Sequence, residues 1–305
     1  MHISVLLNEA VEYLNVKENS TIVDCTLGYG GHSSKILERI KSGKLYAFDQ
    51  DDEAINYSKE LLSKIGSNYE IIRSNFVNIK EELNKRNIFN VDGILYDLGV
   101  SSPQLDEDYR GFSFHKDAKL DMRMDTNKEL SAYEVVNNYS ELELTKIFRE
   151  YGEEVYASSI AKGIVNYRKD KKIETTLELV DIIEMNVPFK YKRDHHPARK
   201  VFQAIRIEVN DELNVFEKSL KDALDMLNIG GRICVITFHS LEDKICKEIF
   251  KDVSSIPNSM KHMPIIPDEY MPKFKVVKTL EPTKEEIELN PRSRSSRLRV
   301  IERVK

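Results

Sequence analysis

No apolar stretch in these 305 residues approaches the roughly 18–20 needed to span a bilayer, so a membrane-crossing helix is not expected. The opening Met1-His2-Ile3-Ser4-Val5-Leu6-Leu7 lacks a positive segment and soon turns acidic, so a secretory leader is not expected either. Cysteine is scarce. Cys25, Cys234 and Cys246 are irregularly spaced, which argues against a disulfide framework and against a zinc site, and no bound metal is expected. The cytoplasm is the natural location. There is no Gly-Lys-Ser or Gly-Lys-Thr, so a phosphate-cradling P-loop is unsupported. A dinucleotide fingerprint would place a glycine two residues beyond Gly31, where the chain has Ser33. The formal charge of −5 does not advertise a nucleic-acid partner, although local basic patches act through their own field.

What the chain does have is Asp24-Cys25-Thr26-Leu27-Gly28-Tyr29-Gly30-Gly31-His32, with Asp49 about twenty residues on. Thr21-Ile22-Val23 before it reads as a buried parallel strand. Ser33-Ser34 and the apolar spacing of Lys35 to Ile40 read as a helix with a serine cap. Strand, glycine loop and helix in that order make the crevice where open α/β sheets bind ligands. Lys44 to Phe48 is a second strand, and Asp49 at its end suits a ribose hydroxyl. An adenosine-containing cofactor follows. S-adenosylmethionine carries no phosphate, and its carboxylate suits unpaired N–H groups at a helix start. Phe76, after a third strand at 70–73, is placed to wall the adenine, although a lone aromatic is ordinarily core.

A helix from Asp52 to Ile65, another from Ile79 to Arg86 and a strand from Val91 to Tyr96 complete a βαβαβ rhythm, which predicts a parallel sheet with helices on both faces. From about 105 to 207 the patterns are helical, including 142–151 and 154–168, with Pro197 as an internal boundary. A long helix from Asn210 to Leu227 stops at Gly230-Gly231. The sheet resumes at 232–238 and closes with an antiparallel pair at 274–280 and 297–304. The expected organisation is one discontinuous cofactor-binding domain, 1–104 with 208–305, and an inserted helical domain, 105–207.

Asp24, Asp49 and Asp97 fall at strand ends, as suits a cofactor with sulfonium and ammonium charges; strand-end aspartates also serve turns. Lys190 to Lys200 is basic with an interleaved tyrosine, and Pro291 to Arg299 carries four arginines and three serines. Either alone reads as a solvated face; two beside a cofactor site put an RNA or DNA substrate level with that reading. Ser240 beside His239 does not make a hydrolase, because neighbouring strand residues face opposite ways and no glycine elbow surrounds the serine.

Together these motifs resemble the bacterial 16S ribosomal RNA cytosine-N4 methyltransferase family over essentially the whole chain. The resemblance rests on Val5 to Glu9, Asp24 to Ser33, Asp97 to Asp106, Arg110 to Phe114, Leu120 to Asp125 and Tyr151 to Glu154. It continues through His196-Pro197-Ala198 with Val201 to Ile207, Phe238 to Asp243 and Asn290 to Ser295. Ser4 and Lys244 depart from residues common in the family, proline and arginine, outside the cofactor set. The resemblance implies a Rossmann-like class I methyltransferase sheet with an inserted helical domain. It also implies S-adenosylmethionine as cofactor, held by Gly30, Gly31, His32, Asp49, Phe76, Asp97 and Gln104. The implied substrate is a decoding-region cytosine of 16S ribosomal RNA, in an assembled or assembling small subunit.

An Asp/Asn/Ser-Pro-Pro-Tyr/Phe loop, common in amino-methyltransferases, is missing after the fourth strand, where Asp97-Leu98-Gly99-Val100-Ser101-Ser102 stands. Asp97 is therefore the expected orienting acid, with Asp121, Asp125 or His239 assisting. Lys192, Arg193, Arg199, Lys200, Arg292, Arg294 and Arg297 are the expected RNA contacts, with binding that weakens steeply with salt. A homodimer is left open. The competing readings are a methyltransferase of another nucleic-acid amine, a non-catalytic RNA-binding assembly factor, and a nicotinamide oxidoreductase.

Overall fold

Residues 4–100, 108–260, 263 and 266–305 are described by the structure, a computed structural model. The chain divides into two units, Met1–Gly99 with Leu213–Lys305, and Val100–Glu212. These boundaries stand five residues outside each end of 105–207; at the carboxyl end the helix that reaches Asn210 runs past 207.

The first unit is built on a seven-stranded sheet of order β3-β2-β1-β4-β5-β7-β6. Its strands are β1 (Thr21–Asp24), β2 (Lys44–Asp49), β3 (Tyr69–Arg73), β4 (Val91–Asp97), β5 (Leu227–Thr237), β6 (Phe274–Leu280) and β7 (Arg297–Arg303). The pairs from β3 to β5 are parallel, and β7 runs antiparallel between β5 and β6. Parallel strands buried on both faces read as continuous apolar runs, which is why they stand out in the sequence. Their side chains alternate between two cores. Val23, Phe48, Tyr96 and Ile233 pack with Phe216 and Leu220 of one helix and Phe250 of another. Ile22, Leu45, Leu95 and Cys234 pack on the opposite face with Val11 and Ile36.

Helix α1 (Leu7–Tyr13) precedes β1, and α2 (Gly31–Leu37), α3 (Asp52–Ser63) and α4 (Ile79–Asn84) join the first four strands. Two local expectations are corrected here. The cap of α2 is Gly30 rather than a serine, and Ser33 lies inside the first turn with its hydroxyl donating to Asp24 at 2.7 Å. The strand expected at 232–238 begins instead at Leu227, which pairs with Val91 before a register shift toward Gly93, so Gly230-Gly231 lies within the strand rather than terminating a helix.

The second unit is helical apart from an isolated bridge between Lys119 and Thr175, among the described residues. Its helices are α5 (Ala132–Asn138), α6 (Glu141–Glu150), α7 (Ala157–Tyr167), α8 (Thr176–Met185), α9 (Phe189–Asp194) and α10 (Pro197–Asn210). Ser131, Ser140 and Thr175 begin three of them as capping boxes with Glu134, Glu143 and Glu178. Val135, Phe148, Ile160, Leu179 and Ile205 fill its core. Asp211, in the left-handed conformation, separates α10 from α11 (Glu212–Met226), where the sequence pattern suggests continuity from Asn210.

The buried Asn210 side chain organises the Leu120–Asp125 segment. Its amide donates to the carbonyls of Met122 and Arg206 at 2.8 and 2.9 Å and accepts from the Met124 N–H at 2.8 Å. No helix among the described residues is long and apolar enough to cross a membrane. Helix α12 (Ser240–Ser254) precedes β6 in sequence, and α13 (Lys284–Leu289) lies between β6 and β7.

Candidate active site

β1 has β2 on one side and β4 on the other, so the chain switches direction across the sheet at β1, and a crevice opens beyond its carboxyl end. Three aspartates stand at the ends of these strands, and their hydrogen bonds give them different work.

Asp24 is fully buried. Its Oδ1 accepts from the Thr26 N–H at 3.0 Å, and its Oδ2 accepts the Ser33 hydroxyl. Burial raises its proton affinity above the ordinary carboxylate range, against the pull of those hydrogen bonds. Asp24 is a fastener that ties β1 to α2.

Asp49 shapes the glycine loop. Its Oδ2 accepts from the Gly28 N–H at 2.8 Å, and its Oδ1 accepts from the N–H groups of Gln50 and Asp51 at 2.8 and 2.9 Å. A carboxylate has about four acceptor positions, so one more donor can be taken. Burial lifts its pKa to about 6, partly offset by the three N–H groups.

Asp97 differs from both. Its backbone N–H is fixed by the Thr26 hydroxyl at 2.7 Å, while its side-chain Oδ1 is buried with no hydrogen-bond partner among the described residues. Burial, then the negative charges of Asp24 and Glu242, push its pKa well up. Its other oxygen lies 3.5 Å from Nδ1 of His32, which is itself buried and has Nε2 3.1 Å from the Val5 carbonyl.

The glycine loop closes this wall. Gly30 adopts φ +77°, a conformation that favours glycine, and a Cβ there would come within 3.1 Å of the Ser58 side chain. A Cβ on Gly31 would lie 1.9 Å from the Ser4 hydroxyl. Phe76, partly buried, meets Tyr96 edge to face with centroids 5.6 Å apart.

This wall fits S-adenosylmethionine on two counts. The glycine loop brings bare backbone to the end of β1, where a ligand can approach closely, and Asp49 keeps one acceptor position for a hydroxyl. When bound, the cofactor supplies an electrophilic methyl on a sulfonium. Gln104 lies outside the described residues.

The expected helpers of Asp97 do not share one environment. His239 caps α12. Glu242 reaches back to accept from the Phe238 and His239 N–H groups at 2.7 and 3.3 Å, and its other oxygen stands 3.1 Å from His239 Nε2, off the line of a hydrogen bond. Asp121 and Asp125 belong to the second unit. Burial acts to raise Asp121, yet its hydrogen bonds to Arg123, at 2.7 and 2.9 Å from the guanidinium, leave it below the ordinary range. Asp125 accepts from Asn127 in a local turn.

The expected RNA-contacting cations are also divided. Lys192, Arg193, Arg199 and Lys200 lie on α9 and α10 of the second unit. Lys200 donates to the Glu153 carbonyl and packs over the Tyr191 ring, Lys192 lies 3.6 Å from Glu184, and Arg193 pairs with the adjacent Asp194. Arg292 and Arg294 are exposed in the first unit. Arg297 is committed to Asp243 and Glu281, so its charge is balanced within the fold.

Sequence reasoning missed Thr26 as the group that fixes Asp97, and Asn210 as the organiser of the Leu120–Asp125 segment. A polar residue in the last turn of an otherwise apolar helix face is the signal for Asn210.

Among solved structures, an rRNA methylase from Streptococcus thermophilus shares 12% identity over 98% of this chain and 94% of its own, with a TM-score of 0.44. SMU.1697c from Streptococcus mutans, in complex with SAH, shares 14% over 99% of each chain with a TM-score of 0.44. A SAM-dependent O-methyltransferase from Thermotoga maritima shares 10% over 98% of this chain and 64% of its own, with a TM-score of 0.42. The model of the MraW methylase family matches residues 1–304. The chain therefore belongs to the MraW methylase family, the family of 16S ribosomal RNA cytosine-N4 methyltransferases, and S-adenosylmethionine is its cofactor.

Proposed function

We propose that the protein transfers a methyl group from S-adenosylmethionine to the exocyclic N4 of a cytosine in the decoding region of 16S ribosomal RNA. The RNA stands in an assembled or assembling small subunit in the cytoplasm. The observation that carries this reading is the match of the MraW methylase family along residues 1–304.

Cytosine's exocyclic amine gives its lone pair to the ring and is a weak nucleophile, so catalysis rests on positioning and on acceptors for the amine protons. Asp97 is the group suited to this, because its Oδ1 is buried and has no donor among the described residues. Thr26 fixes its backbone, while Asp24 and Asp49 fix the loop opposite. In this reading Asp49 takes a ribose hydroxyl, Phe76 walls the adenine, and the backbone of Gly30-Gly31-His32 lines the methionine end. The second unit and the exposed C-terminal arginines Arg292 and Arg294 supply RNA contacts, and the base reaches the pocket unstacked.

The test uses methyl-labelled S-adenosylmethionine, small subunits lacking their own methylation, and identification of the labelled nucleoside. Label in N4-methylcytidine is the expected outcome. Label on another base or on protein overturns the substrate, and intact cofactor binding without transfer to any assembly state favours a binding role.

Asp49 adds a pH dependence. Its elevated pKa means that the unliganded fold gains from Asp49 at acid pH and loses that contribution as pH rises through about 6. A ribose hydroxyl needs the ionised form, so cofactor affinity should move the opposite way. Calorimetric titration is expected to show binding weakening about tenfold per pH unit below that value. Asp49→Asn should bind weakly without this slope; a slope that survives the substitution removes Asp49 from the contact.

A further inference from the structure

His32 is expected from the family resemblance as a cofactor contact, and its ring is buried between two acceptors. Nε2 lies 3.1 Å from the Val5 carbonyl oxygen, which can only accept, so Nε2 carries a hydrogen. In the neutral ring Nδ1 then carries a lone pair, and it faces the Asp97 carboxylate at 3.5 Å. Two lone pairs facing each other in a buried site repel, and one proton between them removes the conflict. The remaining charged groups acting on Asp97 are Asp24 and Glu242, both acidic. Among these groups His32 alone can offset the carboxylate's charge.

We propose that His32 is a positioning residue that holds the shared proton on Nδ1, so that Asp97 presents an ionised Oδ1 to the amine. The Val5 carbonyl fixes the tautomer, and a neighbouring acceptor setting which ring nitrogen is protonated is a general property of histidine. The inference rests on the methyl-transfer reading for the origin of the second proton, though not for the pair itself.

In that step the N4 lone pair forms the bond to the methyl carbon, and the carbon–sulfur pair departs with sulfur. One N4 proton passes to Oδ1 of Asp97. The shared proton stays on His32 throughout, and the proton on Oδ1 leaves to water with the product. One methyl cation is transferred and one proton released, so the step balances with no further reactant.

The first measurement needs no activity. Ring-nitrogen NMR of the unliganded protein, assigned by the signals lost in His32→Gln, should show Nε2 protonated and Nδ1 protonated at a pH where exposed histidines are neutral. In Asp97→Asn the Nδ1 proton should be lost at that pH. The second is a pH profile of kcat/KM. Gln retains a donor for the Val5 carbonyl but carries no charge, so Asp97 in His32→Gln should ionise only at higher pH. Turnover should fall about 10- to 100-fold near neutrality, with the acid limb displaced upward and much of the loss recovered under alkaline conditions.

A ring unprotonated at Nδ1, or one indifferent to Asp97→Asn, overturns the proposal, as does an equal loss at every pH. Should His32→Gln fail to fold, assignment by the signals altered in Asp97→Asn keeps the first measurement decisive. If the native protein methylates no cytosine, the functional reading fails, while the NMR result still decides the pair.

Discussion

Asp97→Asn is expected to lower turnover by about 100- to 1,000-fold and to leave the protein folded, at least as heat-stable as the original near neutral pH. Both halves follow from the same environment. The backbone at position 97 is held by the Thr26 hydroxyl, which the substitution does not touch. Burial and the charges of Asp24 and Glu242 push the side chain toward its neutral form, and His32 gives up its Nδ1 proton when the carboxylate is replaced, so an uncharged isostere strands no charge. What it removes is an anionic acceptor where positive charge develops on the amine. Methyl transfer and thermal unfolding, measured on one preparation, read the two effects separately. Full turnover with ordinary cofactor affinity would remove Asp97 from the chemistry, and a collapse in melting temperature would make it structural.

Gly111→Ala is expected to have the largest effect on stability. Gly111 has φ +72°, and a Cβ there would stand 2.3 Å from the Lys119 carbonyl oxygen and 3.0 Å from the Asp121 N–H nitrogen. Neither neighbour is a side chain that can swing away. Left-handed strain and a backbone clash together cost about 3 kcal/mol or more. Over a chain of this length that lowers the melting temperature by roughly 5 °C or more. Limited proteolysis should cut first within Val100–Glu212, since the clash separates the Arg110–Phe112 segment from the Ala118–Asp121 segment, whose Asp121 and Ala118 carbonyls accept from the Ala132 and Thr176 N–H groups of α5 and α8. An unchanged melting temperature would mean that the segment has another conformation of nearly equal energy.

The strands of the sheet are legible in the sequence because parallel strands buried on both faces must be apolar over their whole length, as at Leu45 to Phe48 and Ile94 to Tyr96. The ends of elements are less so. Ser33 reads as a helix cap by residue type, yet its hydroxyl serves Asp24 across the loop, a long-range contact that overrides the local preference. Gly230-Gly231 reads as a stop, yet the hydrogen-bonding edge of β4 draws Leu227 into the sheet. The candidate site is legible as a set of residues and not as a division of labour. Asp24, Asp49 and Asp97 look alike in the sequence. Only the count of donors around each oxygen distinguishes a fastener, a loop holder with one position to spare, and an acid with an unpaired oxygen.

The order of the sheet also bears on how the chain is made. The partner of β4 is β5, and about 130 residues separate Asp97 from Leu227. At the usual pace of synthesis, roughly 6–26 s pass between the appearance of the two strands. During that interval the Gly93-Ile94-Leu95-Tyr96 edge has open N–H and carbonyl groups, while the helical unit that follows can complete its own core. A ribosome stalled before β5 therefore displays an apolar template for strand addition, the kind of surface that chaperones cover and aggregates recruit.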